Sequence, residues 1–157
     1  MKVLVVAVGR VKGSLEAAVA EYEERARRYW KLDVAEVDAG VAGRNPDPRR
    51  VKEAEAERIL GRIPEALAVV ALTRVGRGMG SRELATELER YGVQAHPGVA
   101  FVLGGAFGLA DTVLARARRQ ISLSRMTLPH EMARLVLAEQ LYRAGTILRG
   151  EPYHKGA

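Results

Sequence analysis

A chain of 157 residues, 48% of them hydrophobic, holds enough apolar material for one domain with a sizeable core. Its 25 Lys and Arg against 19 Asp and Glu leave a formal net charge of +6, a surplus that points to an anionic partner such as RNA. Zero cysteines exclude a disulfide framework and thiolate chemistry and fit a cytoplasmic location, and no apolar run approaches the ~18 to 20 residues of a transmembrane helix.

Strand-like and helix-like segments alternate along the chain. The first apolar run, Lys2 to Val8, leads into Arg10 and Lys12 and reads as a core strand rather than a signal peptide. Leu15, Val19, Tyr22, Ala26 and Tyr29 recur at three to four residues, the spacing of an amphipathic helix, with Ser14 as its expected N-cap. Leu32 to Val37 reads as a second strand. Asp47-Pro48 has the cap-then-proline signature of a helix start, and that helix is expected to reach Ile63. Leu67 to Leu72 is the third strand, and Thr73 to Gly80 reads as a loop rich in Gly and Arg. Ser81 is expected to cap a helix that Gly92 ends. Val99 to Leu103 and Gln120 to Leu123 are strands four and five, separated by a short helix over Asp111 to Arg118. Pro129 opens the last helix, and Arg149 to Ala157 form a tail. The alternation predicts an α/β fold, a mostly parallel sheet flanked by helices, in a single domain spanning residues 1–157. Leu135, Val136, Leu137, Leu141 and Ile147 spread apolar character around the last helix, which implies burial on both sides and self-association.

Two backbone-rich loops stand out as ligand-binding material. Gly104, Gly105 and Gly108 follow the fourth strand, where a missing Cβ lets a ligand approach the main chain. Ile121 to Leu128 is an apolar loop closed by Pro129. Loops at neighbouring strand ends suit a small ligand read by N–H and C=O groups. Gly76, Gly78 and Gly80 do not complete a dinucleotide fingerprint, because its third glycine falls at Ser81. His130-Glu131-Met132-Ala133-Arg134 lacks the second histidine of a zinc-peptidase motif, so no metal is expected. His130 then either bonds nearby backbone from the first helical turn or lines the ligand pocket. Ser14, Ser81, Ser122 and Ser124 have no base-and-orienter arrangement near them in sequence, so a hydrolase triad is unsupported. Tyr153-His154-Lys155 is either a disordered tail or an aromatic, imidazole and ammonium set for stacking on a base and meeting phosphate.

Several of these stretches together resemble one family over essentially the whole chain. They are Leu-Val-Val-Ala-Val-Gly near the start, Leu-Gly-Gly-Ala-Phe-Gly-Leu at 103–109, Ile-Ser-Leu-Ser-Arg-Met-Thr-Leu-Pro-His at 121–130, Leu-Ala-Glu-Gln-Leu-Tyr-Arg-Ala at 137–144 and Pro-Tyr-His-Lys at 152–155. The chain resembles the bacterial ribosomal RNA large-subunit methyltransferase H family, of the SPOUT class of S-adenosylmethionine-dependent enzymes. The resemblance implies a C-terminal trefoil knot, a homodimer, and methylation at N3 of a pseudouridine in 23S rRNA on the assembled ribosome. It implies that Leu72, Gly104, Leu123, Ser124, Arg125, Met126, Thr127 and Leu128 bind the cofactor. Loss of the N3 proton calls for a general base or stabilisation of the anion, and His154 and Tyr153 are the candidate catalytic residues. Where the family tail has Arg after Tyr-His, this chain has Lys155, which keeps the charge and loses the bidentate fork. The alternatives are a SPOUT enzyme acting on tRNA and a non-catalytic RNA-binding assembly factor.

Overall fold

The computed structural model describes residues 1–155, apart from the side chain of His154. Strands β1 (Lys2–Val8), β2 (Lys31–Val37), β3 (Ala68–Gly78), β4 (Gly98–Leu103) and β5 (Arg119–Ser122) form one sheet in the order β2-β1-β4-β3-β5. Every pairing is parallel. Helices α1 (Glu16–Ala26), α2 (Pro48–Leu60), α3 (Ser81–Val93), α4 (Asp111–Arg116) and α5 (His130–Leu148) cover both faces.

Pleating decides which residue meets which helix layer. Val3, Val5, Ala7, Val99, Phe101, Leu103 and Val70 point to one face, where α1, α3 and α5 supply Ala26, Leu84, Leu88, Leu137 and Leu141. The alternate residues Leu4, Val6, Val8, Val69, Ala100 and Val102 meet Ala56 and Ile59 of α2 and Val113 of α4. Central parallel strands are covered on both sides, which is why β1 and β4 read as unbroken apolar runs.

The helix starts show where local signals hold. Asp47 caps α2 as expected, its Oδ1 accepting from the Arg49 N–H at 3.1 Å with Pro48 in the first turn. Ser14 does not cap α1. It lies inside a 3-10 turn, Gly13–Leu15, that winds directly into the helix, so it lacks the extended backbone of a cap. Ser81 is likewise the first helical residue of α3 rather than its cap. Gly80 takes that place, its N–H donating to Glu83 Oε2 at 2.6 Å, while Ser81 Oγ donates to Gln140 Oε1 on α5. Gly92 lies within α3, and the chain turns away only at Ala95, whose φ is +56°.

The segment 73–80, expected as a loop, is largely strand. β3 continues to Gly78, and Leu72 and Arg77 both lie opposite Ile121 of β5, so residues 73–76 bulge out of the ladder and return to it. A Cβ on Gly76 would sit 2.6 Å from the Ile121 carbonyl carbon, so this excursion is closed tightly onto β5.

Helix α5 packs between α1 and α3 over the sheet, so much of its broad apolar surface is covered within the chain. Arg134 on α5 is buried and donates from Nε to Glu23 on α1 (2.9 Å) and from an Nη to Glu36 on β2 (2.6 Å). Burial opposes its charge, yet the two carboxylates outweigh that and raise its pKa. The position that broke the metal motif thus ties α5 to α1 and the sheet edge. Leu135 and Val136 remain half-buried, and Met132 and Leu148 are exposed.

Candidate functional site

The C-terminal ends of β4, β3 and β5 lie side by side. Leu72 pairs with Leu103 on one flank and Ile121 on the other, which sets the residues that follow, Gly104, Thr73 and Ser122, at one edge of the sheet. A hollow opens there, lined by Leu72, Thr73, Ser122, Leu123, Met126 and Ala133 among others. It measures about 80 Å³ and shares Ser122 and Leu123 with a neighbouring hollow of about 200 Å³ between α3 and α5. Edges of this kind are where open parallel sheets bind ligands.

The loop after β5 is shaped by its own side chains. Ser122 Oγ donates to the Ser124 carbonyl at 2.8 Å, and Ser124 Oγ accepts from the Met126 N–H at 2.9 Å. Leu123, Ser124 and Leu128 are half-buried, whereas Arg125, Met126 and Thr127 are exposed. Of the residues singled out from the sequence, Leu72, Leu123, Ser124, Met126 and Leu128 line the same hollow. Gly104 stands at the adjacent strand end.

The glycines also answer to packing within the protein. A Cβ on Gly104 would lie 2.9 Å from the Gly108 carbonyl carbon, and one on Gly105 would lie 2.8 Å from Glu55 Oε1. On their Cβ side, Gly104 and Gly105 are packed against the protein itself. The turn closes through the Gly108 N–H on the Gly105 carbonyl, with Gly108 at φ +82°. Glu55 is buried behind it, one oxygen accepting from the Gly40 N–H.

The tail folds back onto α5 at Tyr153. Residues Pro152–His154 form a 3-10 turn against α5, and the Tyr153 hydroxyl donates to Glu139 Oε1 at 2.9 Å. Its ring lies 4.5 Å from that of Tyr142 and under the Arg143 guanidinium. Burial, then the bond to Glu139, pushes the phenol well above its ordinary pKa, so it is a poor base. The side chain of His154, the other catalytic candidate, lies outside the described residues. Ala133 touches the hollow and Glu139 holds Tyr153, which puts the tail roughly 9 Å further along the α5 axis at 1.5 Å per residue.

His130 is exposed in the first turn of α5, its Nε2 3.9 Å from Glu131 Oε1. Thr73, Arg74 and Ala133 line the hollow without having been singled out, and Ser122 lies in the 121–128 loop that was. For Thr73 the signal was present, since it adjoins Leu72 at a strand end. Ala133 required the packing of α5.

A family profile described as predicted SPOUT methyltransferase matches residues 1–154. The chain belongs to the SPOUT methyltransferase family. A SPOUT relative from Gemmatimonas aurantiaca, named ribosomal RNA large subunit methyltransferase H, is 49% identical over 99% of this chain and 100% of its own length. Relatives of the same name from Syntrophotalea carbinolica and Pelotomaculum thermopropionicum are each 44% identical, over 98% and 97% of this chain and 99% and 98% of theirs.

Proposed function

We propose that this chain transfers a methyl group from S-adenosylmethionine to N3 of a pseudouridine in 23S rRNA, on the assembled ribosome, as a cytoplasmic homodimer. The observation that carries the reading is end-to-end similarity to relatives named ribosomal RNA large subunit methyltransferase H. The basic surplus of +6 suits an RNA partner. No helix among the described residues is long and apolar enough to cross a membrane, and none of their His, Asp and Glu side chains form a metal-binding group.

The site residues suit the methyl donor. Leu72, Leu123, Met126 and Leu128 offer apolar walls to a purine ring, and the 123–128 backbone offers N–H and C=O groups to its edge. At about 80 Å³ the hollow is smaller than the ~300 Å³ typical of small-molecule pockets, so the exposed Arg125–Thr127 segment must give way on binding. When bound, S-adenosylmethionine supplies a sulfonium methyl open to in-line displacement. The chain's part is alignment of the acceptor and removal of the N3 proton. With Tyr153 held protonated on Glu139, His154 is the better candidate to take that proton. In this reading the homodimer lets each tail serve its partner's hollow. The trefoil knot implied by the resemblance belongs to the same reading.

Nucleoside mass spectrometry of 23S rRNA from a strain lacking the gene tests the reading. One pseudouridine should lose a methyl group and regain it on complementation. An unchanged 23S rRNA would overturn the proposal.

A further inference from the structure

Thr73 is the first residue of the β3 excursion, beside Gly104 and Ser122 at the strand ends. Its Oγ1 has no solvent contact and no hydrogen-bond partner, one of two such buried side-chain atoms among the described residues, the other being Glu55 Oε1. The other hydroxyls of the hollow are committed, Ser122 Oγ to the Ser124 carbonyl and Ser124 Oγ to the Met126 N–H. Buried polar groups are nearly always paired, so an orphaned hydroxyl calls for a partner that arrives later. The bulge explains how it is left over. Side-chain hydroxyls in turns usually close on nearby backbone, but here the chain departs from β5 at Leu72 and rejoins it at Arg77 without using that hydroxyl.

We propose that Thr73 Oγ1 is a further cofactor-binding group, one that hydrogen-bonds S-adenosylmethionine once the 123–128 loop opens. The inference rests on the proposed function and adds to it a residue and a motion. Opening enlarges a hollow that is too small as it stands, and it carries the ligand down to the hydroxyl on its wall. The ligand-free protein bears the cost of the unpaired group, and the complex removes it.

This predicts opposite signs in two measurements on one variant. Thr73→Val keeps the shape and removes the hydroxyl. In the ligand-free protein it should raise Tm by roughly 2 to 4 °C, the change expected when an unsatisfied group is deleted from a chain of this size. In calorimetric titration with S-adenosylmethionine, and separately with S-adenosylhomocysteine, it should raise Kd about three- to tenfold. Thr73→Ser should bind close to wild type. Wild-type affinity in Thr73→Val overturns the inference while leaving the proposed function standing. Weaker binding together with a lower Tm also overturns it, because that pattern marks a packing role. Wild-type protein that binds neither probe would refute the proposed function itself.

Discussion

At Gly105 the nearest obstacle to a methyl group is a buried carboxylate, Glu55, which is 3% exposed and anchors the Gly40 N–H. A side chain there must displace that carboxylate or bend the turn that Gly108 closes. Gly105→Ala is therefore expected to cost about 1 to 3 kcal/mol, the range for overpacking a filled site, and to lower Tm before it affects any ligand. Thermal denaturation of the ligand-free protein checks this, and an unchanged Tm would show that the turn has slack. Gly104 carries the same warning. Loss of binding in a Gly104 variant reports on the site only if the variant's Tm is intact, since its Cβ would meet the Gly108 backbone. The spacing of the glycines drew attention to the right edge of the sheet. Their sequence could not say whether ligand or protein fills the missing Cβ volume, because that depends on Glu55 and Gly108 arriving from elsewhere in the fold.

Among the elements, the strands were legible because central parallel strands carry their burial as continuous apolar runs, and α2 because Asp47 and Pro48 encode its start. The β3 excursion was not legible. Gly and Arg favour loops locally, whereas the pairing of Arg77 and Gly78 with β5 is a tertiary contact. The docking of the C-terminal tail was not legible for a similar reason, since Glu139 and Tyr142 meet Tyr153 and Tyr29 meets Glu151 through contacts that no local signal announces. Tyr29 on the α1–β2 connection donates to Glu151 at 2.5 Å, and burial first, then this bond, pushes its phenol up to about 12. A phenol with a raised folded pKa holds its proton where the unfolded chain has released it. Stability is thus fully present below pH ~10, the ordinary tyrosine value, and falls as pH climbs through the folded pKa. Denaturant titrations between neutral and strongly alkaline pH should show that decline, and Tyr29→Phe should flatten it. An equal slope in the variant would assign the loss to other groups. Removing the residues after Pro152 should leave S-adenosylmethionine affinity near wild type and cut methyl transfer at least tenfold, in keeping with the 10²–10⁴-fold usual for a proton-transfer group. Full transfer by the truncated enzyme would return the tail to a structural role.

For the whole molecule, a sheet closed on both faces still leaves apolar side chains in the open. Val75 is 88% exposed and Met126 is 79% exposed, and Phe107 and Met132 are exposed as well. They belong to the β3 excursion, the loop after β5, the glycine turn and the start of α5. With half-buried Leu135 and Val136 they provide surface that a second copy would cover. Sedimentation at micromolar concentration should give about twice the 17.1 kDa chain mass. A monomer at that concentration would remove the means by which one tail reaches the other hollow.

Methyl transfer in vitro to defined RNA measures the central claim most directly. Purified protein, S-adenosylmethionine with a labelled methyl group, and ribosomes whose 23S rRNA lacks the modification should yield label in one pseudouridine, at N3 by nucleoside mass spectrometry. Free 23S rRNA and bulk tRNA should take up little. Label confined to tRNA, or to another atom or base of the rRNA, would contradict the assignment.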